Sequence, residues 1–101
     1  MHKIIFNFSK TGPMKYISHL DLMRLLTRAM RRAELPLYFT QGFSPHPKLS
    51  IKRALKLGLE SENEEASIIL EEPVSPENFL TRLQEQLPEG IEIKNVQGNI
   101  N

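Results

Sequence analysis

Lys3-Ile4-Ile5-Phe6-Asn7-Phe8 sets Ile4, Phe6 and Phe8 on one side and Lys3 and Asn7 on the other, the two-residue period of a half-buried strand. Ile5 breaks the polarity of the second face. A loop with Gly12-Pro13 follows, and Ser18-His19-Leu20-Asp21 has the form of a helix start, Ser18 capping and Asp21 answering three positions later. The helix is expected to run to about Glu34 and to stop before Pro36. At about 100° per residue, Leu22, Met23, Leu26, Ala29, Met30 and Ala33 form one face, and Arg24, Arg28, Arg31 and Arg32 gather on the other.

Further along, Leu37 to Thr40 is a short strand candidate leading into Gln41-Gly42-Phe43-Ser44-Pro45-His46-Pro47-Lys48. Two prolines and a glycine rigidify that loop, which displays a histidine, a lysine, a hydroxyl and an aromatic ring. Leu49, Ile51, Leu55, Leu57 and Leu59 then alternate with Ser50, Lys52, Lys56 and Gly58, predicting one strand over 49–59. Arg53 falls on its apolar side, as a bulge, a strand end or an inward-reaching charge. Glu60 to Glu65 is expected to be a polar turn, and Ala66 to Glu72 a strand ended by Pro73. Ser75-Pro76-Glu77-Asn78 starts a second helix, with Phe79, Leu80, Leu83 and Leu87 on its apolar face. Pro88 and Gly90 end that helix, and Ile91 with Ile93 opens a last strand. Strand, helix, strand, strand, helix, strand is the order of a ferredoxin-like α+β sandwich, two helices covering one face of an antiparallel sheet. That fold serves many functions and selects none.

A chain of 101 residues has the length of one domain with one core. It contains no cysteine, which excludes disulfides, thiolate zinc sites, cysteine nucleophiles and an iron–sulfur cluster ligated by this chain. No apolar run reaches the roughly 20 residues of a membrane span, and the first residues lack the pattern of a signal peptide, so a soluble cytoplasmic protein is the default expectation. The overall charge of +1 hides a division. Residues 1–58 hold eleven Lys and Arg against Asp21 and Glu34, net +9, and the remainder holds ten Glu against Arg82 and Lys94, net −8. Asymmetry of this kind points to an anionic partner for the basic half.

Several residues have the chemistry for such a partner. Phe8-Ser9-Lys10-Thr11-Gly12-Pro13 offers two hydroxyls, an amine and a flexible glycine suited to phosphate, although the spacing is not that of a Walker loop and a plain turn explains it equally. The arginines of the first helix, joined by Lys48, Lys52 and Lys56, suit a polyanion, or are simply solvated charge. In a two-layer sandwich the outer face of a helix and the open face of the sheet lie on opposite sides, so the two basic stripes are expected to have separate footprints. His19 and His46 are the types that cleave RNA without a metal when they flank the 2′-hydroxyl and the leaving oxygen. With His2 they show no metal-ligand spacing, and no cofactor is expected. Lys3, Ile5 and Asn7 on the open sheet face do not make the aromatic platform of an RNA-recognition motif.

Four segments are distinctive together: residues 8–13 and 41–48 already quoted, Ile17-Ser18-His19-Leu20-Asp21-Leu22, and Arg28-Ala29-Met30-Arg31-Arg32-Ala33-Glu34-Leu35-Pro36. In these, and on past Leu57-Gly58-Leu59-Glu60-Ser61 to the second helix, the chain resembles a family of uncharacterised bacterial proteins fused to, or encoded beside, B12-binding radical SAM proteins. The resemblance implies an accessory domain with a radical SAM protein as partner. It supplies no reaction, and because members often continue beyond this length it is compatible with the N-terminal part of a longer architecture. Radical SAM chemistry needs a cluster held by cysteines, so this chain is not expected to be the catalytic subunit. The favoured expectation is a non-catalytic accessory domain that binds RNA through Lys10, His19, Arg24, Arg28, Arg31, Phe43, His46 and Lys48. The alternatives are a protein-docking adaptor for the radical SAM subunit and a metal-independent ribonuclease using His19 and His46.

Overall fold

The computed structural model describes residues 1–54 and 57–100. Strand β1 (His2–Lys10) is followed by a 3-10 helix (Gly12–Tyr16), helix α1 (His19–Arg32), strands β2 (Leu49–Ile51) and β3 (Ser61–Leu70), helix α2 (Pro76–Gln84) and strand β4 (Ile91–Ile100). The fold is α+β: a four-stranded antiparallel sheet in the order β2-β3-β1-β4, with two helices. The 3-10 helix between the first strand and the first long helix departs from a strict βαββαβ succession. Among the described residues no helix is long and apolar enough to cross a membrane.

β1 lies in the middle of the sheet. Its even-numbered side chains Ile4, Phe6 and Phe8 are buried and stand across from Ile68, Ala66 and Glu64 of β3. On the other edge Phe6 faces Val96 and Phe8 faces Ile93. Leu22, Leu26, Ala29 and Met30 of α1 and Phe79 and Leu83 of α2 close over this one face in a single core. The Phe6 ring packs against Phe8 at 6.1 Å and Phe79 at 5.6 Å between centroids, in tilted geometry.

Both helix starts follow from their caps. Ser18 Oγ accepts from the Asp21 backbone N–H, and Ser75 Oγ from that of Asn78 behind Pro76 at the first turn. The end of α1 is closed less obviously. Leu35 N–H returns to the Met30 carbonyl and Glu34 N–H to that of Arg31, a Schellman pair. Glu34 therefore takes the left-handed position at φ 57° where glycine is usual. From α2, the Arg82 guanidinium donates to the Ala33 carbonyl through Nε at 3.1 Å and Nη2 at 2.9 Å, and to the Glu34 carbonyl at 2.6 Å. A cation thus satisfies the negative end of α1 and ties the two helices together. Gly90, at φ 101°, lets the α2–β4 turn approach the 3-10 helix, since a Cβ there would come within 2.7 Å of the Thr11 carbonyl and Met14 Cγ.

Three sequence expectations are corrected. The strand over 49–59 stops at Ile51; Leu57 and Gly58 form a turn, and Leu55 and Lys56 lie outside the described residues. The polar turn at 60–65 is instead the start of β3, because Asn7 and Phe8 of β1 pair with Glu65 and Glu64. Leu37 to Thr40 forms single bridges, Leu37 to Leu70 and Phe39 to Pro47, rather than a strand. Arg53 lies just past the end of β2, and its side chain, 67% exposed, reaches the carboxylate of Glu64, which is 2% exposed. Nε donates to Oε1 at 3.2 Å and Nη2 to Oε2 at 2.9 Å, and the Ser61 hydroxyl donates to Oε2 as well. These contacts explain how a run of glutamates becomes a strand: the one that turns inward is neutralised in place.

Arg82→Ala is expected to lower stability by about 1.5–3 kcal/mol, the range for hydrogen bonds to a charged group, and Glu34→Gly to raise it by up to about 1 kcal/mol by relieving the left-handed backbone. Denaturant midpoints of the two variants check both signs.

The Arg53 guanidinium holds the Glu64 carboxyl below the usual carboxylate range against the opposing effect of burial, with help from Ser61 and the Lys10 charge. A group depressed in the folded state contributes stability that is full above its unfolded value, about 4.3, and is lost as pH falls through the lower folded value. Glu64→Gln is expected to be less stable than the parent at neutral pH, with the gap narrowing below about pH 4. Urea midpoints over a pH series measure it, and a gap that does not change with pH contradicts the assignment.

Candidate nucleic-acid interface

Helix α1 turns its core stripe inward, so geometry forces its arginines outward. Arg24 and Arg28 occupy the ridge facing away from the core and line a groove on either side. The groove toward α2, about 600 Å³, also contains the carboxylates of Asp21 and Glu85. Arg24 pairs there with Asp21 at 3.5 Å, and Arg32 donates to the Gln86 carbonyl at 3.3 Å. The groove on the opposite side, about 480 Å³, runs between α1 and the loop before β2. Its lining includes Arg24, Arg28, Arg31 and His46, with no carboxylate. Leu20, Met23 and Thr27 of α1 and Pro47 and Leu49 opposite complete it. Unlike the groove toward α2, this one offers an anion cationic partners with no carboxylate among them.

The loop that forms its far wall is held at its base. Phe39 bridges Pro47, the Thr40 N–H donates to the His46 carbonyl at 2.9 Å, and the His46 N–H donates to Thr40 Oγ1 at 3.2 Å. His46 Nδ1 lies 2.9 Å from the Ser44 carbonyl. A carbonyl only accepts, so Nδ1 carries the proton of the neutral ring and Nε2 is the acceptor. The Arg31 guanidinium sits 5.3 Å from the centroid of the Phe39 ring, a cation–π contact that fastens helix to loop. At the tip, Phe43 is fully exposed at 108%.

The structure brings together four of the sequence-selected residues, Arg24, Arg28, Arg31 and His46, with Phe43 on the same loop. Lys48 lies around the edge of β2, in a groove of about 430 Å³ on the open sheet face that it shares with Lys3. His46, Pro47 and Leu49 line both grooves, so the two basic stripes adjoin along the β2 edge rather than standing on opposite sides of the molecule. Lys56 of the second stripe is outside the described residues.

Two residues are placed elsewhere. Lys10 is 1% exposed, its Nζ 3.5 Å from the Ile17 carbonyl, so it faces the interior and not a surface ligand. The loop after it is also engaged: the Gly12 N–H donates to Glu60 Oε2 at 2.6 Å and the Thr11 N–H to the Gly90 carbonyl at 2.9 Å. A carboxylate therefore holds a backbone donor that a phosphate would need. His19 opens α1 but does not line the groove that His46 enters. Among the described residues no group of three His, Asp or Glu side chains is placed to hold a metal ion.

Sequence reasoning missed the groove's apolar side. Met23 belongs by helical angle to the margin of the core stripe, and the structure leaves it half-buried against the groove. Leu20, more than half exposed in the first turn of α1, is a signal the sequence did contain, since an apolar residue outside the core stripe marks a surface with another use.

No curated protein and no solved structure matches the chain. A family whose description reads "Uncharacterized protein conserved in bacteria (DUF2344)" matches residues 3–99. Spanning nearly all of the sequence, that match shows that the chain belongs to this family.

Proposed function

We propose that this chain is an accessory domain of a radical SAM system, built on a ferredoxin-like scaffold, that binds RNA through the groove between α1 and the loop of residues 40–48. The observation that carries the reading is the lining of that groove: three arginines and a histidine, no carboxylate, and an exposed phenylalanine at the loop tip. A helix rises about 1.5 Å per residue, so Arg24, Arg28 and Arg31 span about 10 Å. A stacked strand carries one phosphate per about 3.4 Å, and the row therefore faces about three consecutive phosphates. Lys48 and Lys3 extend the positive surface around the β2 edge. The radical SAM partner rests on the sequence resemblance, and the absence of cysteine gives this chain the role of binding rather than of carrying a cluster.

A second reading, the docking adaptor, has one observation in its favour. The Gly58 N–H donates to the Lys15 carbonyl at 2.7 Å, bringing Leu57 and Leu59 beside Tyr16, and all three side chains are exposed. An apolar group of this kind suits a protein surface. The ribonuclease reading has no comparable support, since only one of its two histidines lines the groove.

Titration of the domain against labelled tRNA and a DNA duplex over a salt series tests the proposal. RNA-selective binding that weakens steeply with salt is expected, and each of Arg24→Ala, Arg28→Ala and Arg31→Ala should reduce the slope of log K against log salt by about 1. Lys94→Ala, on the far strand, should leave it unchanged. Equal weak binding to both nucleic acids, or slopes indifferent to the arginines, would contradict RNA binding. Co-purification with the radical SAM subunit in the absence of RNA, lost on a Leu57→Ser, Leu59→Ser double substitution, would favour the adaptor.

A further inference from the structure

The α1–loop groove contains more than a polyanion requires. A phosphate backbone is held by charge at the surface, yet here the guanidinium row borders an apolar floor of Met23, Pro47 and Leu49. The groove, about 480 Å³, is open along its length, so a ligand lies along it with one side toward solvent. Polar groups are few and fixed. Thr27 supplies a hydroxyl from the helix, and His46, held through Nδ1 by the Ser44 carbonyl, supplies Nε2 as an acceptor. Phe43 stands fully exposed at the end of a loop whose base is pinned by two hydrogen bonds between Thr40 and His46, one backbone to backbone and one from the His46 N–H to Thr40 Oγ1. An exposed aromatic on a fixed arm is a stacking surface.

Resting on the RNA-binding reading, we propose that this groove is a pocket for one unpaired, unstacked nucleotide of a single-stranded RNA. Its base lies on the Met23, Pro47 and Leu49 floor, its edge meets Thr27 and His46, its flanking phosphates meet Arg28 and Arg31, and the neighbouring base stacks on Phe43. A duplex keeps its bases paired and stacked, so it presents only phosphates to the arginines and leaves the floor empty. The domain is therefore a reader of single strands, loops or bulges, the parts of an RNA whose bases can be splayed out.

The test is fluorescence anisotropy with a short labelled mixed-sequence RNA, single-stranded and annealed to its complement, against the whole chain. The parent is expected to prefer the single strand at least tenfold. Thr27→Trp, which fills the groove from a half-exposed helix position, should abolish that preference. Phe43→Ala, which touches no core residue, should weaken single-strand binding about fivefold or more. Equal affinity for the two forms, or a preference that survives Thr27→Trp, would overturn the nucleotide pocket while the RNA reading stands. Absence of salt-dependent RNA binding altogether would overturn both.

Discussion

Because β1 is hydrogen-bonded on both edges, to β3 on one side and β4 on the other, two registers fix its side-chain parity at once. Slipping either by one residue would turn Ile4, Phe6 and Phe8 out of the core and bring Lys3 and Asn7 in. That pairing determines which face of the sheet is apolar, and hence where both helices must lie. The rule relaxes at irregularities: the pairing with β4 shifts between Lys3 and Ile5 and between Asn7 and Phe8, and the pairing with β3 shifts near the end of the strand. The register shifts between Phe8 and Lys10, and Ser9 and Lys10 are both buried there. Lys10 lies near the inward-turned Glu64, which Arg53 and Ser61 also engage. Buried charge in a small sandwich is tolerated when it is paired and hydrogen-bonded.

With its core face committed, α1 has no choice about its other side. Four arginines there crowd one another, and like charges one turn apart cost a few tenths of a kcal/mol each. Three have local relief: Arg24 in Asp21, Arg31 in the Phe39 ring and Arg32 in the Gln86 carbonyl. Among the described residues Arg28 has none of these, and it stands between the two grooves. A bound anion would lower the repulsion along the helix, and Arg28 is the member of the row without such relief among the described residues. The loop of residues 40–48 converts this charged ridge into a groove by supplying a second wall, fixed to the helix through Arg31 and Phe39.

Much of the fold was legible because its signals are local. The alternation of residues 3–8, the serine caps at Ser18 and Ser75 and the proline at position 76 each act within a turn or a strand, and each lies where the residues point. What failed depended on partners far along the chain. Glu64 belongs in a strand only because Arg53 and Ser61 meet its carboxylate, and Leu57 and Leu59 follow Ile51 without joining a ladder. Glu34 in a left-handed conformation is intelligible only once Arg82, from the other helix, is seen to hold its carbonyl. The candidate site divides the same way. Helical spacing placed Arg24, Arg28 and Arg31 together, whereas the approach of His46 to them, the burial of Lys10 and the floor around Met23 are tertiary facts that no window of sequence contains.

The most direct test of the account is a map of where RNA touches the domain. Amide chemical shifts recorded as a short single-stranded RNA is added should move along Leu20 to Arg31 and across Thr40 to Leu49, with the far side of the sheet around Glu92 and Lys94 unaffected. Shifts concentrated instead at Tyr16, Leu57 and Leu59, or none at saturating RNA, would contradict the claim that the groove between the arginine helix and the proline-rich loop is the working surface of this protein.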